Sequence, residues 1–462
     1  DEYQAVKAQS ILENETKWNV TEFYPEVNIL KDYIKNIAQR KEEVLNQGSF
    51  DHTAEIISAQ YSKPYIMHGS IGPSCAVALF ENGKLNIWSH SQGVYPLRAS
   101  LMGLTGLTEA NIHIKGVPGS GCYGHNGADD VAADAALLAM AYPGKHVRLQ
   151  WSRQNEHIWE PYGSAMVMEP RASLDASGKI TQWSYELWSD SHSTRPGGDA
   201  ALLLPARYLE QPHKLDSRGF LGGGYRNAEP FYNIPTQQIT AHFFDGPMRV
   251  SALRALGAYA NIFAIESFIE ELAEKAGKEP LDFRLQHAKD ERTRAILQKL
   301  RDMTRNVQLN SGEGLGFGFS KYKNSASYCG VAAKAFVDKE NGAVQIRQMW
   351  GVIDAGECIN PDGLKNQTEG GMIQAASWTL KEAVTFNQDE ITSIDWNSYP
   401  IFRFRDVPEV EVEVIDRPDE PALGAGEAAQ GPASAAIANA IYKACGVRVR
   451  DLPITAEKIK QR

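Results

Sequence analysis

Cysteine is scarce in this sequence, and the few cysteines are far apart. The 462 residues include five, at Cys75, Cys122, Cys329, Cys358 and Cys445. They form no CxxC or CxxCH motif, and no His-rich tract accompanies them. The sequence therefore carries no sign of a zinc site, a haem attachment site or a self-contained iron–sulfur site.

Basic charge and long apolar runs are also in short supply. The formal net charge is −10, and no basic run or basic–aromatic alternation is present, which argues against a nucleic-acid surface. The longest apolar runs fall short of the ~18 residues that a membrane helix needs. The chain begins at Asp1 without a signal-like segment, so we expect it to start inside a longer gene product or after processing, in the cytoplasm or the periplasm.

The remaining composition is that of a globular protein. Hydrophobic residues make up 43% of the chain and charged residues 23%, which is typical of a soluble core-forming sequence. The length predicts two or three domains. We expect a peripheral helical and linker segment at 1–55, a first domain at 56–300 and a second domain at 301–462. The charged, helical stretch Asp282–Asn310 marks the predicted boundary.

Periodicity and turn residues predict the main elements of secondary structure. The predicted helices are Ala5–Leu12, Leu30–Leu45, Val131–Tyr142, Asn261–Ala276, Met372–Glu382 and Ala433–Cys445. The predicted strands are Ala76–Phe80, Leu85–Ser89, Val147–Trp151, Ile180–Trp188, Ser327–Val337 and Val344–Ile353. Asn-Gly turns at residues 82–83 and 341–342 make two of these strand pairs hairpins.

One carboxylate near the end of the chain has no bulky neighbour. Glu427 lies between Gly426 and two alanines, in a loop that leads into the helix Ala433–Cys445. A large group can approach such a side chain closely, and the free N–H groups of the next helix favour an anion. Two interpretations stay open from the local sequence: a helix-entry loop whose acid favours the helix dipole, or a catalytic carboxylate.

A glycine-rich loop at residues 116–130 precedes another helix. Its glycines allow the backbone to approach a ligand and to direct successive N–H groups at it. The loop lacks the Gly-Lys-Ser ending of a phosphate loop, and Asp129 and Asp130 stand where a dinucleotide motif would place a pyrophosphate. A purely structural loop is therefore the alternative. Gln92 and Gln367 are likewise either turn and helix-start residues or ligand contacts.

Taken together, several ordered motifs resemble the molybdenum-binding subunit of the xanthine oxidase family. The resemblance covers nearly the whole chain, and the branch that it favours is that of nicotinate dehydrogenase, isoquinoline 1-oxidoreductase and related bacterial aldehyde dehydrogenases. The matching stretches are Gly119–Asp130, Leu253–Gly257, Asp354–Pro361, Asn366–Gly371, Gly424–Gly431 and Val447–Pro453.

The resemblance implies an α+β fold, an elongated two-domain molybdopterin-binding architecture with mixed sheets flanked by helices. It implies a molybdopterin cofactor, in the cytosine dinucleotide form, whose pterin holds a molybdenum with oxo and sulfido ligands, so that no side chain ligates the metal. Glu427 matches the catalytic base that takes a proton from water-derived hydroxide. The residues that match cofactor-binding positions are Gln92, Gly121, Tyr123, Gly124, Arg254, Gln367 and Gly426.

The implied activity is oxidation of an aldehyde or hydroxylation of an N-heteroaromatic carbon with oxygen from water. Leu256 stands where xanthine oxidases carry a stacking aromatic residue, and Gly127 where they carry an acid, which disfavours a purine substrate. The alternative is a cofactor-free fragment or a scaffolding subunit without activity of its own.

The resemblance also implies partners. Electrons are expected to pass to [2Fe–2S] centres on a separate subunit, because this chain has no cysteine cluster, and onward to an acceptor such as a cytochrome c. The Gly-Gln-Gly loop that binds the pterin in this branch is absent from the sequence, so we expect a polypeptide with the N-terminal half of the molybdenum subunit to supply it.

Overall fold

The fold is described by a computed structural model that covers residues 1–17, 23–215 and 219–460. Its helices are α1 (Glu2–Glu15), α2 (Leu30–Asn36), α3 (Val94–Thr105), α4 (Ala128–Ala141), α5 (Arg153–Trp159), α6 (Ala258–Lys275), α7 (Pro280–Gln286), α8 (Glu291–Thr304), α9 (Pro361–Leu380), α10 (Gln430–Cys445) and α11 (Ala456–Lys460). Its strands are β1 (Arg40–Gln47), β2 (Ile57–Ser58), β3 (Tyr61–Lys63), β4 (Cys75–Glu81), β5 (Lys84–Ser89), β6 (Ile112–Gly116), β7 (His146–Gln150), β8 (Met166–Leu174), β9 (Ile180–Ser189), β10 (Thr236–Phe243), β11 (Glu313–Lys321), β12 (Tyr328–Val337), β13 (Val344–Asp354) and β14 (Glu409–Val414).

The strands form mixed sheets. One sheet has the order β1-β10-β9-β8-β2, with β3 also paired to β8. A second has the order β11-β12-β13-β14, and a third the order β6-β5-β4-β7. Each contains one parallel pair among antiparallel ones, namely β9 with β10, β13 with β14, and β5 with β6. The predicted α+β class, with mixed sheets flanked by helices, is confirmed.

A buried core joins the first two sheets through helices α6 and α10. It includes Trp183 and Tyr185 of β9, Phe263 and Phe268 of α6, and Ile437 of α10, all of them almost fully buried. A separate core under the third sheet is built largely from the alanines of α4. No helix in the described part of the chain has both the length and the apolar character required to cross a membrane.

The seat of α10 on the second sheet depends on glycine. Strand β11 carries glycine at every second position, Gly314, Gly316 and Gly318, and all three lie against the helix backbone. A Cβ atom at Gly316 would lie 2.2 Å from the amide nitrogen of Ala440 and 2.3 Å from the carbonyl oxygen of Ala436. Only a strand face without side chains permits this approach. The alternation therefore fixes the position of the helix that follows Glu427.

We expect Gly316→Ala to lower the free energy of unfolding by about 1–3 kcal/mol, because the added methyl group overpacks against backbone that cannot rotate away. The matched control is Gly370→Ala, at an exposed position of α9 where an added Cβ meets nothing within 4 Å. That change should instead stabilise the chain by about 0.5–1 kcal/mol, since alanine is the better helix former. Urea unfolding of both variants measures the difference. Equal effects would contradict the close strand–helix packing.

Most of the predicted elements are confirmed within a few residues, and two are corrected. The predicted helix Leu30–Leu45 ends at Asn36, and the chain continues as β1, an edge strand paired with β10. The charged residues at 40–43 suggested a solvated helix, but they are exposed side chains of an edge strand. The helix predicted to start at Met372 begins instead at Pro361, capped by the Asn360 side chain, so that Asn366–Gly371 lies inside α9. The predicted domain limits stay a prediction.

Candidate active site

Loops that are distant in the sequence line a cleft of about 630 Å³. Three of these loops lead into α4, α6 and α10, and others follow β9 or precede β10 and α3. The lining residues are Gln92, Cys122, Tyr123, Gly124, His192, Ser193, Arg195, Arg226, Ala252, Leu253, Arg254, Leu256, Gln367, Gly426 and Glu427. All the predicted site residues except Gly121 therefore line one cleft. Gly121 is not among the lining residues, and its carbonyl oxygen accepts a hydrogen bond from the hydroxyl of Ser70.

Glu427 is the carboxylate of this cleft, and it is held on both sides. Its Oε1 accepts a hydrogen bond of 3.1 Å from the backbone amide of Ala255. Its Oε2 accepts one of 2.5 Å from the hydroxyl of Tyr322, and the Nη1 atom of Arg226 lies 3.8 Å from the same oxygen. The side chain remains 30% exposed, so a ligand in the cleft can still reach it.

Arg254 ties the loops of the cleft together. Its guanidinium donates to the carbonyl oxygens of Gly426 and Gln367, at 2.9 and 3.1 Å, and to the side-chain oxygen of Gln374 at 3.1 Å. The side-chain amide of Gln367 also donates to the carbonyl oxygen of Gly426, at 2.8 Å. Burial lowers the pKa of Arg254, and the charge of Glu427 acts in the opposite direction. The loop that carries Glu427 is thus bonded to both α9 and the loop before α6.

The glycine-rich loop meets the loop before α6 through a backbone bridge. Gly124 pairs with Leu253, and the amide of Arg254 donates to the carbonyl oxygen of Tyr123 at 2.8 Å. Gly124 has a φ of 133°, and a Cβ atom there would lie 1.9 Å from the carbonyl oxygen of Ala252. Glycine is therefore required at this position both for the backbone conformation and for the close approach.

Left-handed backbone conformations concentrate around the cleft. Apart from Asn82 in a hairpin turn, the described non-glycine residues with positive φ are Tyr123, Asn227, Ala255, Leu256, Lys323 and Asn324. Tyr123 and Leu256 line the cleft, Ala255 bonds Glu427, and the other three surround Tyr322. Such conformations cost of order 1–3 kcal/mol each and cluster at functional sites. Their placement makes this cleft the candidate functional site of the described chain.

His192 has one ring nitrogen, Nδ1, without a hydrogen-bond partner among the described residues. Its side chain is 1% exposed, and its Nε2 atom lies 3.0 Å from the hydroxyl of Ser189. That hydroxyl donates to the carbonyl oxygen of Asp190, which leaves the Nε2–H of His192 as the donor and Nδ1 as an acceptor. Nδ1 has no hydrogen-bond partner among the described residues. Burial lowers the pKa of His192 to about 3, so the ring is neutral.

Two residues beside Glu427 were missed by the sequence analysis, Tyr322 and Arg226. Neither belongs to a recognisable motif, and Tyr322 is 105 positions from Glu427 in the sequence. The roles of the predicted site residues stay predictions. Chemically, the arrangement offers one anchored carboxylate that can accept a proton, the guanidinium groups of Arg195, Arg226 and Arg254, and the buried acceptor of His192.

Comparisons with known proteins match this chain to two cofactor-binding families. Residues 30–218 and 246–408 each match a family described as "Molybdopterin cofactor-binding domain". A nicotinate dehydrogenase chain of Pseudomonas putida is 35% identical over 480 residues, covering 99% of this chain and 39% of the relative. The beta chain of isoquinoline 1-oxidoreductase from Brevundimonas diminuta is 24% identical, covering 82% of this chain and 47% of the relative.

Among solved structures, aldehyde oxidoreductase from Desulfovibrio gigas has a similar fold. The TM-score is 0.77 at 16% sequence identity, over 92% of this chain and 63% of that one. At this identity the likeness concerns the fold alone. The chain spans less than half the length of the two curated relatives named above.

Proposed function

Because the chain belongs to the xanthine oxidase family of molybdenum-binding subunits, we propose that it forms the catalytic part of a molybdenum hydroxylase. Its substrate is an aldehyde or an N-heteroaromatic compound of the nicotinate or isoquinoline type. The observation that carries the proposal is the anchored, partly exposed carboxylate of Glu427 in a cleft walled by the glycine-rich loop. The matched cofactor-binding domains favour this function over that of a scaffold.

The residues of the cleft fit a molybdopterin cofactor. Gly124 packs so closely against the carbonyl oxygen of Ala252 that no side chain fits there, and it lines the cleft with its backbone. Nδ1 of His192, which has no partner among the described residues, provides an acceptor for a donor on a bound molecule. We propose that the backbone of Tyr123, Gly124 and Arg254 lies against the metal end, and that Gln92 and Gln367 contact the cofactor, in its cytosine dinucleotide form.

When bound, the molybdenum–pterin group supplies two-electron oxidation of the substrate carbon, with oxygen drawn from water. Glu427 holds and moves the proton of that oxygen. Arg226 and the two hydrogen bonds hold this carboxylate in place at the cleft, where general-base assistance needs it. Leu256 provides an apolar contact in the cleft, which suits the flat face of an N-heteroaromatic substrate.

We further propose that the chain works in an assembly. The two electrons leave to [2Fe–2S] centres on a partner subunit, with a cytochrome c as a candidate final acceptor. The sequence supports a separate subunit, because its five cysteines are scattered and each [2Fe–2S] centre needs four ligands. The second proposed partner is a polypeptide that carries the N-terminal half of the molybdenum subunit and supplies the Gly-Gln-Gly loop.

Cofactor content tests this proposal. The chain is produced with its partner polypeptides in a bacterial host that makes molybdopterin, and molybdenum and the pterin nucleotide are quantified by metal analysis and mass spectrometry. We expect both in the parent protein, and we expect Gly124→Ala to lower molybdenum occupancy by about 10-fold or more, because the methyl group displaces the loop against the cofactor.

The matched control is Gly198→Ala. Gly198 has a similar φ of 111°, but an added Cβ there meets nothing within 4 Å, so this variant carries the conformational strain without the collision. It should keep its molybdenum. A parent protein that contains neither molybdenum nor pterin when purified with its partners would contradict the proposed function.

A further inference from the structure

Tyr322 forms a bonded chain with Arg226 and Glu427 at the edge of the cleft. The Nη1 atom of Arg226 donates to the hydroxyl oxygen of Tyr322 at 2.7 Å, and that hydroxyl donates to Oε2 of Glu427 at 2.5 Å. Since Arg226 can only donate, it occupies the oxygen of Tyr322 as an acceptor and leaves the hydroxyl proton to point at Glu427. The direction of the hydrogen bond is therefore fixed by the guanidinium.

The loop that carries Tyr322 is built to hold it in place. Lys323 and Asn324 both have left-handed backbone conformations, which only surrounding contacts can maintain. Asn227 supplies these contacts: its side chain accepts from the amide of Lys323 and donates to the carbonyl oxygen of Lys321 and the side chain of Asn324. At the other end of the loop, the hydroxyl of Ser327 donates to the carbonyl oxygen of Gly424 at 2.9 Å.

The electrostatics of the pair keep the hydroxyl in its donating form. Burial, followed by the negative charge of Glu427, raises the pKa of Tyr322 well above its ordinary value, so the phenol keeps its proton throughout the working pH range. Glu427 still has room to act, because a carboxylate offers about four lone-pair positions and two of them are used by Tyr322 and Ala255.

We propose that Tyr322, oriented by Arg226, is a positioning residue for the carboxylate of Glu427. It fixes Oε2 and leaves the remaining lone pairs of Glu427 free for a proton acceptor role in the cleft. This role rests on the proposed function of Glu427 as the base.

The test is Tyr322→Phe in the assembled, cofactor-loaded protein, with kcat and KM measured separately and kcat expressed per molybdenum. We expect kcat/KM to fall about 10- to 100-fold, the effect of losing a hydrogen bond to a charged group. We expect the fall to lie in kcat and not in KM, because this hydrogen bond orients the base and Tyr322 is not among the cleft residues. Molybdenum content should match that of the parent.

A second readout does not depend on activity. In urea unfolding of the full chain, Tyr322→Phe should lower the midpoint in the parent and lower it less in a Glu427→Ala background, where the acceptor is already gone. The matched control is Tyr442→Phe, whose hydroxyl donates to Glu274 at 2.8 Å under the guanidinium of Arg448, outside the cleft residues. That variant should leave both kcat and KM unchanged.

The outcomes separate the two proposals. If Glu427→Gln lowers kcat/KM by about 10² or more and Tyr322→Phe keeps the kcat of the parent, the positioning role is wrong and the proposed function stands. If Tyr322→Phe lowers the rate only in proportion to lost molybdenum, its role is structural and the positioning role is again wrong. If Glu427→Gln keeps its rate, the proposed base is wrong and the positioning role fails with it.

Discussion

The Glu427→Gln variant should lose turnover by about 10² to 10⁴ in kcat/KM while keeping its fold and its molybdenum, which is the range for removal of a general base. The carboxamide has the shape of the carboxylate but only one oxygen, so it can keep the hydrogen bond from Ala255 or the one from Tyr322, while its NH2 group takes the other position. It cannot take up a proton at neutral pH. The variant therefore removes the proposed base together with one of its two hydrogen bonds.

The matched control for this variant is Glu420→Gln. Glu420 lies a few residues upstream, and its carboxylate is 3.9 Å from Arg292 at the surface and is not among the cleft residues. Removing an exposed charge of this kind should leave kcat/KM within a factor of about two, since surface ion pairs contribute little. A Glu427→Gln variant that turns over within about threefold of the parent would show that Glu427 is not the base.

The largest expected loss of stability is at Arg284, which is completely buried. Its guanidinium bonds Oε2 of Glu266 at 2.8 Å and Oε2 of Glu270 at 3.0 Å, and it also donates to the carbonyl oxygen of Phe317 in β11. Glu266 in turn accepts from Phe319 and from the hydroxyl of Tyr232. This network joins α6, α7 and the strand on which α10 is seated.

We expect Arg284→Met to lower the free energy of unfolding by about 3–5 kcal/mol, because it leaves two carboxylates buried without their cation. That loss is a large part of the total stability of a domain, about 5–15 kcal/mol. Urea unfolding measures it. The control is Arg301→Met, whose partner Asp282 is exposed, and this change should cost less than about 1 kcal/mol.

The loss at Arg284 should depend on pH. Burial already raises the pKa of Glu266, with Arg284 acting against it, so removing the cation raises that pKa further. When the pKa of a carboxyl group is higher in the folded state than in the unfolded state, the free energy of unfolding falls as the pH rises from the unfolded-state pKa toward the folded-state pKa. The deficit of Arg284→Met should therefore be smaller at pH 5 than at pH 8. A deficit independent of pH would show that lost packing, rather than unpaired charge, is its cause.

Local patterns in the sequence determined much of the fold. The two Asn-Gly hairpins are present, since the turn residues and the alternation of their strands are short-range features. The helices α4, α6 and α10 follow from their apolar periodicity and end signals. The loop around Glu427 was recognised in the same way, because a lone acid among glycines and alanines before a helix is visible within ten residues.

Other features depend on contacts that no local pattern carries. Residues 40–47 have a polar composition that suits a helix, and only the free edge of β10 makes them a strand. Tyr322 and Arg226 contact Glu427 because three separate loops meet. The conformation of the loop that carries Tyr322 depends on Asn227, which is 94 to 97 residues away from its partners in that loop. The sequence by itself determined which residue types could do chemistry, and the tertiary structure decided which of them meet, since side chains far apart in the chain are brought into contact only when the core packs.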